Sequence, residues 1–209
     1  MSRLFLALLS FGICMPAWTS APHARVNSTT YVFVCDDQHA YTVRVTGETA
    51  WIFRPEGTLH LEAGSDSQGT TYHDDNFVLQ IVGETARFGA PGSTPRVCRN
   101  DRSLAIWEKS KLDGADFRAV GNEPGWSLEI FEKNRAVLVT GYGASRIERL
   151  LPQPAVNQEA RTTRWDAGDM IVELTGKTCH DSMTGEPFET TVVVIWNGQT
   201  LRGCGRPLH

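Results

Sequence analysis

Apolar and polar residues alternate in short runs through the first half of the chain, and turn-forming residues separate these runs. Because successive side chains of a strand point to opposite faces, each run places its apolar residues on one face. The runs are Tyr31, Phe33 and Cys35; Tyr41, Val43 and Val45; Leu59, Leu61 and Ala63; and Phe77, Leu79 and Ile81. Turns are predicted at Gly47, 55–57, 64–69 and Gly83. Short strands at this spacing predict an antiparallel sandwich or barrel, and a closed barrel leaves no exposed edge.

The same alternation returns in the second half of the chain. Strand-like segments are 128–130, 137–139, 170–174 and 191–196. The last segment is almost wholly apolar, so we expect both of its faces to be buried. The polar segment 146–164 contains two prolines and predicts a hairpin with a long loop. Four tryptophans are expected in a core or at a barrel end: Trp51, Trp126, Trp165 and Trp196.

A short helix is predicted between the two halves, over residues 104–112, with Asp101 or Ser103 as its cap. We expect Trp107 on this helix to pack against one of the flanking modules. The predicted fold is therefore all-β, with two small antiparallel β-barrel-like domains joined by a short helical connector. The predicted boundaries are 26–100 for the first domain, 101–114 for the connector and 115–209 for the second domain.

The first 21 residues have the pattern of a secretory signal peptide. Arg3 precedes an apolar run over residues 4–15, and small residues follow at 19–21. The run is too short to span a bilayer. Two alternatives stay open, which are lipidation at Cys14 and a buried first helix. An exported protein of the periplasm or the outer-membrane-associated envelope is expected, with a lipid anchor as its only route to the membrane.

Four further cysteines, Cys35, Cys98, Cys179 and Cys204, fall two in each half of the chain. They allow three disulfide pairings, and pairing within each half is favoured because each half then folds alone. The alternative is one zinc ion held by all four thiolates, but no close pair of cysteines has the usual ligand spacing.

The charge balance is mildly acidic, since 20 lysines and arginines face 24 aspartates and glutamates in 209 residues. No basic patch points to nucleic acid as a partner, whereas a basic protein would be attracted. The sequence has no glycine-rich phosphate loop, nucleophile elbow or recognisable carboxylate pair. The histidines show no ligand spacing. We therefore expect no cofactor, no metal site and no catalysis.

Several features of residues 31–98 occur together in a recognisable order. An aromatic residue stands four positions before Cys35, a Ser/Gly loop precedes Tyr72, a Gly-x-x-Ala turn begins at Gly83, and Cys98 closes the segment. This segment resembles the membrane-bound lysozyme inhibitors of c-type lysozyme. The resemblance implies an eight-stranded antiparallel barrel that inserts a loop serine and a lysine between the catalytic carboxylates of lysozyme.

The resemblance implies contact loops over residues 65–72 and 82–84, with c-type lysozyme as the partner. The family's serine position falls on Gln68 and its lysine position on Val82, so the charged group is missing here. The contact residues it implies are Ser65, Ser67, Gln68, Gly69, Tyr72, Val82, Gly83 and Glu84.

The second half is similar to an uncharacterised bacterial envelope domain of lipoprotein type. Segments 117–126, 179–188 and 201–205 carry this resemblance, which implies a compartment but no chemistry. We expect the Glu123 carboxylate to cap local backbone N–H groups. A catalytic role for Cys179, His180 and Asp181 is disfavoured, because adjacent residues point in different directions and a disulfide-bonded cysteine offers no thiolate.

The sequence thus predicts a non-catalytic exported protein that binds lysozyme through loops of its first barrel. Two alternatives stay open. One is an envelope protein that binds a small ligand or lipid inside a barrel. The other is an envelope hydrolase, for which Glu123, His180 and Asp181 would have to converge in one cleft.

Overall fold

The first half of the chain forms a closed antiparallel barrel of eight strands, in which the first strand also pairs with the last. The computed structural model describes residues 27–64 and 70–209. The predicted signal peptide and Cys14 therefore lie outside the described residues. The barrel strands are β1 (Ser28–Cys35), β2 (Ala40–Thr46), β3 (Thr49–Arg54), β4 (Gly57–Gly64), β5 (Thr70–His73), β6 (Val78–Val82), β7 (Thr85–Gly89) and β8 (Arg96–Asn100).

Apolar side chains fill the interior of this barrel. Seven of them have no exposed surface: Phe33, Val43, Ala50, Ile52, Leu61, Leu79 and Ala86. Cys35 in β1 lies directly opposite Cys98 in β8, and a disulfide joins the two. The predicted pairing is confirmed, and it places the covalent bond across the seam where the first and last strands close the barrel.

Helix α1 (Arg102–Leu112) follows the barrel, and Asp101 is its N-cap, as predicted. The Asp101 carboxylate accepts hydrogen bonds from the Ser103 hydroxyl and from the backbone N–H groups of Ser103 and Leu104. The Ser103 hydroxyl, followed by the Leu104 N–H, holds the pKa of Asp101 below its ordinary value. The helix begins two residues earlier than the apolar pattern indicates, because the cap satisfies the first-turn N–H groups.

The second half forms a curled antiparallel sheet of nine strands, a half-barrel. Its order is β12-β11-β10-β9-β19-β18-β15-β14-β13. A separate two-stranded sheet pairs β16 with β17. The strands are β9 (Ala115–Asn122), β10 (Gly125–Phe131), β11 (Arg135–Thr140), β12 (Ser145–Leu150), β13 (Ala155–Asn157), β14 (Thr162–Asp166), β15 (Met170–Thr175), β16 (Cys179–His180), β17 (Pro187–Phe188), β18 (Thr190–Trp196) and β19 (Gln199–Pro207).

The predicted pairing of Cys179 with Cys204 is also confirmed. This bond attaches β16 to β19, so it holds the small two-stranded sheet against the half-barrel. With both disulfides formed, the four cysteines of the described residues have no free thiol, and the zinc alternative is excluded. The predicted fold class, all-β with two barrel-like parts and a helical connector, is confirmed.

Three expectations for strand burial and pairing were wrong. Strand β18 does not bury both faces, because Val192 and Val194 are fully buried while their neighbours are only half-buried. The polar segment 146–164 is not one hairpin, because β12 and β13 lie at opposite edges of the sheet. Trp51 is 40% exposed on the outside of β3, where it packs on His60 with ring centroids 4.4 Å apart.

Helix α1 lies between the two parts of the molecule. On the barrel side, Asp113 just beyond the helix accepts a hydrogen bond from Arg44 of β2 at 2.6 Å. On the other side, Trp107 is buried against Phe188, with ring centroids 5.2 Å apart. Trp107 therefore packs against the second module, and the helix connects both modules through side-chain contacts as well as through the chain.

Candidate functional site

The described strand ends that flank the implied lysozyme-contact segments lie at the same end of the barrel. Thr70, at the start of β5, pairs with Ile81 of β6, and Ile81 pairs with Ala86 of β7. The start of β5 is therefore at the same end as the β6–β7 turn. The contact residues predicted in that connection, Ser65, Ser67, Gln68 and Gly69, lie outside the described residues.

The β6–β7 turn presents one exposed apolar side chain and one carboxylate that is already hydrogen-bonded. Val82 is 51% exposed, and Gly83 has a φ of +59°, a left-handed conformation that favours glycine. The Glu84 carboxylate accepts hydrogen bonds from Asn100 and Arg102, each at 2.7 Å. The hydrogen bond from Arg102, followed by that from Asn100, holds the pKa of Glu84 below its ordinary value.

The start of α1 consequently belongs to the same surface as the turn. Arg102 is the first residue of the helix and is highly exposed, with 75% of its side chain accessible. Sequence reasoning missed this neighbour, since the resemblance ends at Cys98. A partner that covers Val82 would also meet an Arg–Glu pair, whose net charge is zero.

Tyr72 does not belong to an exposed contact loop. It lies within β5 and only 4% of its surface is exposed. Burial raises the pKa of its hydroxyl. The Tyr72 side chain, which the resemblance implies as a lysozyme contact, packs in the barrel core with Phe33 and Leu79.

In the second module, the glycines of segments 117–126 and 201–205 make room for one tryptophan. Trp126 is buried, and its indole N–H donates to the Arg202 carbonyl at 3.3 Å. A Cβ atom at Gly121 would lie 2.2 Å from the indole nitrogen, and one at Gly203 would lie 2.7 Å from the ring. These positions require glycine because the ring crosses both backbones.

Asn122 and Asp181 connect two distant parts of these segments. The Asn122 amide donates to the Asp181 carboxylate at 2.9 Å. The same carboxylate accepts from the N–H groups of Met183 and Thr184, which closes the turn between β16 and β17. The Thr184 N–H is the main cause that lowers the pKa of Asp181. Asp181, and not Glu123 as predicted, caps local backbone groups, while the Glu123 side chain is exposed.

Glu123, His180 and Asp181 do line one pocket, of about 270 Å³. The structure thus brings the candidate hydrolase residues to the same place. The Asp181 oxygens, however, are used by the turn and by Asn122. Cys179, beside them, is in a disulfide and has no thiolate. The Asp181 carboxylate therefore fixes the β16–β17 turn.

Neither a metal centre nor a membrane-crossing helix is found in the described part of the chain. Residues 27–64 and 70–209 contain no group of three or more His, Cys, Asp or Glu side chains placed to hold a metal ion. In the same residues, no helix has both the length and the apolar composition required to cross a bilayer.

Comparisons of the chain with protein-family models, with curated proteins and with solved structures found no match.

Proposed function

We propose that this protein is a non-catalytic binding protein of the bacterial envelope that contacts c-type lysozyme through one end of its first barrel. The observation that carries the proposal is a closed eight-stranded barrel, joined at its seam by Cys35–Cys98, in which the start of β5 is at the same end as the 82–84 turn. This is the scaffold that the resemblance of residues 31–98 implies. Two disulfides are typical of proteins in an oxidising, exported location.

The contact surface of this proposal lacks the inhibitor family's cation. Val82 stands at the lysine position and offers only apolar contact, and Arg102 beside the turn is paired with Glu84. Binding to the acidic cleft of a lysozyme is therefore weak. The net charge of −4 attracts a cationic lysozyme over long range, an effect that salt screens.

A gain-of-function variant tests the proposal. The double change Gln68→Ser and Val82→Lys restores both family side chains, and we expect it to strengthen lysozyme inhibition at least tenfold. The matched control combines Gln68→Ser with Val97→Lys. Val97 is 44% exposed near the opposite end of the barrel, so the control has the same net charge without placing a cation at the turn.

The assay measures cell-wall lysis by a purified c-type lysozyme, and calorimetry measures binding at low and high salt. Inhibition that rises only in the Val82→Lys protein supports the proposed surface. Equal gains in both variants would show non-specific charge effects. The proposal is wrong if neither the natural protein nor the double variant binds lysozyme at low salt.

Binding of a small ligand inside the first barrel is not favoured by the structure. The interior positions of β1 to β8 are occupied by fully buried side chains, among them Phe33, Ile52 and Leu79. A tightly packed interior of this kind has no room for a lipid chain.

A further inference from the structure

We propose that the opening between the two edge strands of the half-barrel binds a small organic carboxylate with an apolar body. Strands β12 and β13 end the nine-stranded sheet and do not pair with each other. The chain crosses from one edge to the other through residues 151–154. Because five Cα–Cα steps separate Leu150 from Ala155, these two strand ends lie at most about 18 Å apart.

The connecting segment cannot close this opening with backbone hydrogen bonds. Pro152 and Pro154 have no N–H groups, so they donate nothing to either edge. Behind them is a pocket of about 600 Å³, whose lining includes these prolines, Leu151 and Trp165. A volume of this size holds a small organic molecule, and barrel mouths are common ligand sites.

The floor of the pocket is apolar but contains one unsatisfied donor. Leu151 and Trp165 are buried members of the half-barrel core, with 5% and 6% of their surfaces exposed. The Trp165 indole nitrogen is buried and has no hydrogen-bond partner among the described residues. Because this nitrogen is buried, a ligand in the pocket contacts the indole ring with its apolar body while its carboxylate stays at the rim, and the indole N–H reports on that contact.

The rim of the pocket supplies donors for an anionic head group. Lys133, Asn134 and Gln153 border the pocket and are exposed. The Lys133 backbone N–H donates to Asp116 at 2.8 Å, and the Asn134 carbonyl accepts from Leu151 at 2.6 Å. These bonds fix the backbone of the rim, so a ligand would not have to order it.

Glu132 is the one carboxylate that borders the pocket, and it opposes an anion. Its neighbour Lys133 attracts one, and both residues have positive φ angles in the β10–β11 turn. An anionic ligand is therefore expected to respond in opposite ways to changes at these two adjacent side chains. Removing the Lys133 charge weakens binding, whereas removing the Glu132 charge strengthens it.

Titration of the ¹⁵N-labelled mature protein with 3-phenylpropanoate tests the proposal. The readout is the Trp165 indole N–H resonance, identified with Trp165→Phe. We expect a saturable shift with 3-phenylpropanoate, and binding of the neutral 3-phenylpropan-1-ol at least tenfold weaker. Lys133→Ala weakens binding about tenfold, Glu132→Gln strengthens it, and Lys177→Ala, a change of an exposed lysine outside the pocket, leaves it unchanged.

Three results would overturn the proposal. They are the absence of a saturable shift at millimolar probe, equal binding of acid and alcohol, and equal effects of Lys133→Ala and Lys177→Ala. If Trp165→Phe fails to fold, the assignment is made from the natural protein by through-bond spectra, and the two lysine variants still decide the outcome. Lysozyme binding is measured separately, so failure at this pocket is distinguishable from failure of the proposed function.

Discussion

One methyl group added at Gly203 tests whether the glycines around Trp126 are needed for packing. A Cβ atom there would lie 2.1 Å from the Val120 carbonyl oxygen and 2.7 Å from the Trp126 ring, whereas real Cβ atoms do not come within 3.0 Å of such neighbours. Strands β9 and β19 would have to move apart by about 0.9 Å. Gly203 does not have a positive φ, so steric overlap is the only penalty.

The magnitude of this penalty follows from two contributions. Overpacking of a well-filled core costs typically about 1–3 kcal/mol. Separation of the strands also weakens backbone hydrogen bonds next to the Cys204–Val120 pair, each worth about 1 kcal/mol. We therefore expect Gly203→Ala to lower the free energy of unfolding of the second module by about 3 kcal/mol, which corresponds to a Tm decrease of about 12–24 °C.

Gly176→Ala is the matched control for this change. Gly176 also lacks a positive φ, but its added Cβ would meet only the guanidinium end of the Arg161 side chain, at 3.1 Å. This flexible group can move, so the control is expected to be neutral or more stable by about 0.5 kcal/mol. Urea unfolding without reductant, followed by circular dichroism and tryptophan fluorescence, measures both variants.

The packing explanation would be refuted if Gly203→Ala were as stable as Gly176→Ala. In that case the close approach of β9 and β19 would not require glycine. If the Gly203→Ala protein had normal stability but lost binding of a ligand, we would conclude instead that these glycines belong to a binding surface.

Three further predictions concern the helix cap, the first disulfide and the ion pair between β9 and β10. Asp101→Ala lowers the free energy of unfolding by about 1 kcal/mol. The lowered pKa of Asp101 stabilises the fold above the pKa of the unfolded chain, and this stabilisation is lost as the pH falls through the pKa of the folded state. The free energy of unfolding therefore falls from pH 5 to 2 more in the natural protein than in Asp101→Asn. Replacing Cys35 and Cys98 by alanine lowers barrel stability by about 4 kcal/mol in urea, because the loop spans 63 residues. Glu129→Ala costs about 3 kcal/mol by thermal unfolding because it leaves the mostly buried Arg118 unpaired, and Arg118→Met in addition recovers part of this loss.

Alternation of apolar residues revealed four of the barrel strands but not all of them. Strands β1, β2, β4 and β6 contain apolar residues at every second position, and each was predicted. Strand β8 has five residues and buries only Cys98 inside the barrel. A single buried side chain has no period, so its pairing with β1 is apparent only once the barrel closes.

The candidate sites show the same limit of sequence reasoning. The resemblance implied contact loops over 65–72 and 82–84, and the register places the start of β5 at the same barrel end as the 82–84 turn. It did not reveal the Glu84–Arg102 pair, because that contact joins the barrel to a helix outside the resembling segment. Asn122 and Asp181 are 59 residues apart in the chain. The order of the strands in the half-barrel brings them together, and no short sequence pattern reveals that order.

Helix α1 couples the proposed lysozyme surface to the second module. Its first residue, Arg102, holds the β6–β7 turn through Glu84, and its buried Trp107 packs on the half-barrel. A partner that displaced Arg102 from Glu84 would leave the Glu84 carboxylate without its cation and loosen the start of the helix.

An isolated 26–100 barrel lacks Arg102 and exposes the face of β1 that the helix covers, including the buried Val32. Lysozyme binding by that fragment would therefore report on a different surface, and the mature two-module chain is the protein on which the proposal has to be tested.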